Sequence, residues 1–313
     1  MKKIKLFYFI ALWVLTLLSF TSCSILNVEN TDKELATFSL NSTSFKHSNG
    51  IKDYGYYDIG VCRKLVGEVY CLVIFIDDDE SSWTKSSRNT FYNSSFYPSI
   101  NYLTKQAQKR NINLNLSCGQ YTTKSDLLSP IRYNGIIQPS SEKALDNMDI
   151  MAQTAQNLGF PNKEVMHAFL KNSTGAKQIA YILCLNKSGR PYSVSDSTYD
   201  DKDSIEFVVA FSDNEYGLTN VGSSILHEFL HLFGAADLYD ASGEYREREK
   251  LCKKLFPKDV MMKNAIDPNS LDIGILTECL IGWSDQFPSA CDCPEWWEKT
   301  SNKEHRPPYS SVN

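Results

Sequence analysis

Histidine is scarce in this chain. Only five of its 313 residues are histidine, so two of them four positions apart, His227 and His231, stand out. Lysine and arginine never gather into a basic run and the net charge is −5. A stripe fitted to a phosphate backbone is therefore missing, which excludes nucleic acid as a partner. No segment repeats at a fixed spacing, so a solenoid or propeller is excluded. Beyond Phe20 there is no further long apolar run, so only the amino-terminal segment is expected to meet a bilayer. What is present suits a globular core: 42% apolar residues, with 17 Tyr and 16 Phe. The length allows one large domain or two small ones.

The opening segment MKKIKLFYFIALWVLTLLSFTSCS has the parts of a secretory signal. Lys2, Lys3 and Lys5 precede a nearly unbroken apolar stretch from Leu6 to Phe20, and small residues follow. It is too short and wrongly flanked for a membrane span. FTSC resembles a bacterial lipobox, with cleavage after Ser22 and a lipid on Cys23; Phe20 stands where an aliphatic residue is usual. The expected plan is a signal peptide at 1–22, a polar tether at 23–54, a domain at 55–293 and a loosely ordered tail at 294–313. The mature protein is then expected as a monomer in the cell envelope, lipid-anchored outside the cytoplasm on the outer membrane or cell surface.

With Cys23 lipidated, eight of the nine cysteines remain: 62, 71, 118, 184, 252, 279, 291 and 293. An even number in an exported protein predicts disulfides. Cys62 and Cys71 are expected to face each other across a hairpin turning near Val66-Gly67. Cys291 and Cys293 are expected to pair elsewhere rather than with each other.

Short apolar runs at 69–79, 178–185 and 204–211 read as buried strands, and 112–121 alternates as a strand does. Helical spacing appears at 99–111 and twice within 141–171, broken at Gly159 and Pro161. The acids Asp77 to Glu80 read as a solvated loop.

The segment from about Asn220 to Phe233 is expected to be a helix, with Ile225, Leu226, Phe229, Leu230 and Phe233 as its apolar face. In "HEFLHLFGAADLYD", residues 227 to 240, the two histidines are one turn apart and project from the same side. That places two nitrogens on one Zn2+ ion at about 2.0–2.1 Å. Glu228, beside the first ligand, suits a base that takes a proton from water. HExxH alone arises by chance in roughly 1% of chains this size, and Gly and Asp at fixed offsets cut that by two or three further orders of magnitude. A catalytic site needs a third protein ligand that the same helical turn cannot supply. Gly234 can end the helix, and Asp237 then returns toward the metal.

"HEFLHLFGAAD" resembles the HExxHxxGxx(H/D) signature of metzincin zinc peptidases. Asp in the third place is similar to the snapalysin and immune-inhibitor-A types, and "GAADLYD" looks like the latter. The resemblance implies a Met-turn beneath the metal, which falls on "FPKDVMMKN" at 256–264, with Met261 in that role and Met262 as alternate. It implies an α/β (α+β) fold: a twisted mixed sheet with backing helices, an active-site helix and a smaller C-terminal lobe with "NSLDIGILTECLIGW" as its helix. It also implies a zinc endopeptidase acting on protein or peptide substrates outside the cytoplasm. The tyrosine that metzincins commonly carry after the Met-turn is missing near 263–268, so the oxyanion helper is unassigned.

Two rivals stand beside this reading. A gluzincin-like peptidase would draw its third ligand from Glu244, Glu247 or Glu249. A non-catalytic surface lipoprotein would keep zinc for structure, with no need of Glu228. Asp240 reads as a loop residue and Tyr239 as a packed aromatic. His47, His167 and His305 lack metal partners at suitable spacing.

Overall fold

In β1 (Gly67–Asp77), β4 (Gln178–Ser188) and β6 (Glu206–Asp213) nearly every residue is buried. A strand has this pattern when both of its faces are covered, as in parallel sheets. The computed structural model describes residues 60–120, 130–140, 149–195, 205–214, 216–218, 222–239 and 246–291. The signal segment with Cys23, the tether, the tail, Cys293, Asp240, Glu244, His47 and His305 lie outside the described residues.

One mixed sheet has the order β2-β1-β4-β6-β5, with the short β3 (Ile131–Arg132) pairing with β1. β2 (Leu114–Gln120), β3 and β4 run parallel to β1, and β6 runs parallel to β4. The edge strand β5 (Tyr192–Ser195) is antiparallel to β6. Side chains alternate along a strand. Val69, Cys71, Val73 and Phe75 of β1 therefore enter one core, while Tyr70, Leu72, Ile74 and Ile76 enter the other.

The second core is closed by α3 (Ile150–Asn157) and α4 (Lys163–Thr174). The first is closed by α1 (Lys85–Phe91), α2 (Tyr97–Lys109), α5 (Gly222–His231) and the segment 246–291, which carries α6 (Arg246–Leu255) and α7 (Ile275–Leu280). The result is an α/β fold with a mixed sheet and packing helices on both faces. The strands expected at 69–79, 112–121, 178–185 and 204–211 and the helix at 99–111 are all found. Among the described residues no helix is long and apolar enough to cross a membrane.

The cysteine expectation is corrected. The seven described cysteines are free thiols. Val66-Gly67 is no hairpin, because the neighbours of β1 are parallel strands from distant parts of the chain. Cys62 instead donates to the Ile179 carbonyl at 3.3 Å. Cys71 sits opposite Cys118 in the β1–β2 register, and the Cys252 and Cys291 thiols are hydrogen-bonded to each other. The acids after β1 do form a loop, but Asp78 is buried in it. Asp78 accepts from Ser81 N at 2.7 Å and Ile137 N at 3.0 Å, and pairs with Lys187 at 2.6 Å.

Two contacts fix α5 to the elements beside it. At its start, Gly222 passes so close to the π-helical stretch Tyr92–Phe96 that joins α1 to α2, and to the first turn of α2, that a Cβ would lie 2.6 Å from the Ser95 carbonyl and from Ser99 Oγ. The Gly222 carbonyl accepts from Ser99 Oγ at 2.6 Å. Further along, Ser223 Oγ donates to the Ala265 carbonyl at 2.8 Å and so ties the helix to segment 246–291. The buried side of α5 carries Phe229, whose ring centroid lies 5.2 Å from that of Phe233 in the turn after the helix. Phe229→Ala removes a fully buried ring from this seam and is expected to lower the unfolding free energy by about 3–5 kcal/mol, measured by urea denaturation against wild type.

Candidate metal centre

His227 and His231 lie at the carboxyl end of α5. The helix stops where Gly234 adopts φ 95°, and Gly234 N donates to the His231 carbonyl at 3.0 Å. A side chain at that φ would be strained. The chain then reverses through the buried Ala235 and Ala236 and brings Asp237 back against the helix end.

Each imidazole is held through its Nδ1 by a main-chain carbonyl. His227 Nδ1 donates to Val260 O at 3.0 Å, and His231 Nδ1 donates to Ala235 O at 2.8 Å. A carbonyl can only accept, so each Nδ1 carries a proton, and a ring in its neutral form presents an Nε2 lone pair to the others. The two Nε2 atoms are 3.1 Å apart. Asp237 Oδ1 lies 2.8 Å from His227 Nε2 and 3.3 Å from His231 Nε2.

Three lone-pair donors therefore converge on one point. A four-coordinate ion with bonds of about 2.0–2.1 Å sets its ligand atoms about 3.3 Å apart, close to this triangle. The three residues are only 5–7% exposed, and a cation among them, a proton or a metal ion, would offset the cost of burying the carboxylate. Titration agrees. Burial opposes a charge on His227, yet the hydrogen bond and field of Asp237 outweigh it and raise the imidazole to about 9. Burial also opposes the Asp237 carboxylate, but the two imidazoles hold it well below the usual range. Both shifts describe a positive charge on His227 held by the Asp237 carboxylate, a charge that a metal ion could replace.

Glu228 has a different place. Its carboxylate comes within 4.8 Å of both histidine donor nitrogens, so His227, Glu228 and His231 together could hold a metal ion. Asp237 is closer to both rings, whereas Glu228 faces a cleft of about 420 Å³ lined also by Arg190, Asn214, Tyr239, Met262 and Lys263. Burial raises the Glu228 carboxyl against the pull of the imidazoles. A carboxylate raised in this way is a better proton acceptor than a solvated one.

Below the histidines runs the loop 256–264. Asp259 accepts from Met261 N at 2.7 Å, Gly274 N at 2.7 Å and Thr277 Oγ1 at 2.9 Å. It thereby fixes the neighbouring Val260 carbonyl that receives His227. Met261 is fully buried in this loop, and its carbonyl accepts from Leu238 N at 3.0 Å, next to Asp237. Met262 turns to the cleft instead. The segment expected to supply a C-terminal helix forms only the six-residue α7.

Two of the rival carboxylates, Glu247 and Glu249, are engaged elsewhere. Glu247 pairs with Lys250 and Glu249 with Lys253, each at 2.7 Å along α6. His167 is hydrogen-bonded to the Tyr181 hydroxyl at 2.9 Å. Two residues of the site, Arg190 and Asp259, were not expected from the sequence. Tyr239 is packed, as its type suggests, but it stacks on the His227 ring with centroids 5.9 Å apart. Arg190 and Asp259 had no local signal: one sits in an ordinary loop between strands, and the other is a single acid among many.

Asp259→Ala strands two backbone donors and a hydroxyl, and is expected to cost roughly 2–4 kcal/mol. Thermal unfolding checks this, and the same variant should take up metal more weakly because Val260 O loses its support. Comparison with protein-family models, with curated proteins and with solved structures finds no match to this chain.

Proposed function

We propose that the protein is a zinc-dependent endopeptidase of the metzincin kind. The observation that carries this reading is the triangle of His227 Nε2, His231 Nε2 and Asp237 Oδ1, with Glu228 beside it at the cleft. His227, His231 and Asp237 would hold the ion. An imidazole pair with one carboxylate suits zinc, and both imidazoles have the carbonyl partners that zinc-ligating histidines use.

When bound, zinc supplies Lewis acidity and makes water easier to deprotonate. The other steps belong to the chain. Glu228 takes a proton from the attacking water, a C–O bond forms at the scissile carbonyl carbon, and the carbonyl electron pair moves onto oxygen. That pair then returns, the C–N bond breaks, and Glu228 delivers its proton to the departing amine. The cleft beside Glu228 receives the peptide. Met261, buried beneath the histidines, is assigned the Met-turn role.

The amino-terminal segment supports export and a lipid on Cys23, so the proposed substrates are proteins or peptides outside the cytoplasm and the proposed state is a lipid-anchored monomer. The gluzincin alternative loses support from Glu247 and Glu249, which are committed to lysines on α6.

Two outcomes test the assignment of roles. Protein lacking residues 1–23 is expected to bind about one zinc per chain from its single three-ligand site, measured by metal analysis. Glu228→Gln should keep that zinc while peptide hydrolysis falls by about 10²–10⁴-fold. Asp237→Ala should weaken zinc affinity by about 100-fold or more, whereas Glu247→Ala should not. Loss of zinc in Glu228→Gln, or full zinc affinity in Asp237→Ala, would overturn the ligand set.

A further inference from the structure

The chain as a whole carries a net charge of −5, yet the cleft has the opposite balance. Among its described lining residues Glu228 is the one carboxylate, set against two cations, Arg190 and Lys263. The two cations differ in what already faces them. The Arg190 guanidinium donates to the Tyr239 hydroxyl at 3.1 Å and stands in the fields of Glu228 and Asp237, so its charge is answered within the site. Lys263 is exposed, and among the described residues its ammonium has no ion pair and no hydrogen bond. It is the unanswered charge of the cleft.

A lysine on an open surface recognises little, because solvent screens it and its stem is free to wander. The root of Lys263 is instead pinned on both sides. Before it, the Asp259 carbonyl accepts from Met262 N at 3.0 Å and from Lys263 N at 3.2 Å. After it, Ser223 Oγ donates to the Ala265 carbonyl at 2.8 Å and accepts from Ala265 N at 2.9 Å. Ser223 belongs to α5, the helix that also carries Glu228. The cation is therefore rooted at a fixed offset from the proposed base, on the wall that Met262 and Asn264 share with it.

We propose that Lys263 selects substrates with an acidic side chain close to the scissile bond, its ammonium pairing with that Asp or Glu carboxylate as the peptide lies in the cleft. This rests on the peptidase reading above and narrows its substrates to acidic segments of proteins. The buried Met262 beside it offers apolar surface to the stem of the same substrate side chain. A substrate lysine or arginine at that place would set like charges together, so discrimination comes from repulsion as well as attraction.

Short capped alanine–glycine peptides, with a single Glu, Gln or Lys stepped along their length, test this. Two readouts are kept separate: hydrolysis by zinc-loaded wild-type protein, and binding to zinc-loaded Glu228→Gln protein by calorimetry. At one stretch of the peptide, Glu is expected to exceed Gln by about 3–10-fold in both kcat/KM and affinity, with Lys below Gln. That preference should shrink between about 0.05 and 0.5 M NaCl. Lys263→Ala should bring the Glu-to-Gln ratio near unity, Lys263→Arg should keep it, and Lys263→Glu should turn it in favour of Lys, with zinc content and thermal unfolding as in wild type. Equal binding of Glu and Gln peptides at every position overturns the inference, as does failure of every peptide to bind. A preference that survives Lys263→Ala also overturns it, since the attraction then belongs to the ion or to Arg190. Hydrolysis without any preference leaves the peptidase reading standing alone. A Glu preference in binding, with no peptide cut by zinc-loaded wild type, overturns the peptidase reading and leaves Lys263 as the anchor of an acid-binding cleft.

Discussion

Both imidazoles of the site give their Nδ1 protons to main-chain carbonyls, and much of the chain is arranged to keep those two carbonyls in place. One belongs to Ala235, just past the glycine that ends α5, so the helix terminus supplies its own partner for His231. The other belongs to Val260, in a loop that has no regular structure of its own and is held by Asp259. These bonds select the tautomer, and the tautomer aims the Nε2 lone pairs at one another. A water partner at either Nδ1 would leave the ring free to turn and the triangle with Asp237 undefined.

The sheet makes this arrangement possible at a distance. Its central strands are covered on both faces, so they form a rigid floor whose register is dictated by burial. Helix α5 rests on one face of that floor and meets the π-helical junction of α1 and α2 at Gly222, where only a hydrogen in place of a side chain allows the approach. The loop at 189–191 enters the cleft from the sheet side, and residues 262–264 enter it from the carboxyl-terminal segment. The cleft is thus a meeting of two separately supported walls, with the end of α5 between them.

How much of this was written in the sequence depends on how local the signal is. The buried strands were legible as apolar runs, and α5 as an apolar face with two histidines at one-turn spacing. Gly234 was legible because its role is a backbone property of one residue. The cysteines were misread because a hairpin pairs chain neighbours, whereas β1 takes both of its long partners from elsewhere. Arg190 was invisible because only tertiary packing brings the β4–β5 loop to Tyr239. The Val260 carbonyl was invisible for a plainer reason, since every residue has one. The chemistry that can bind an ion was local and readable, and the parts that orient it were not.

The single carboxylate of Asp259 has a consequence beyond its own hydrogen bonds. It grips the loop under His227 with one oxygen and the start of α7, through Gly274 and Thr277, with the other. The triangle of candidate ligands and the carboxyl-terminal segment therefore share a fastening. Thermodynamic linkage then runs both ways: an ion that tightens the triangle also raises the cost of opening segment 246–291, and loosening that segment lowers affinity for the ion. A protein built like this would become harder for proteases to attack once an ion occupied the triangle, with resistance concentrated in its carboxyl-terminal segment.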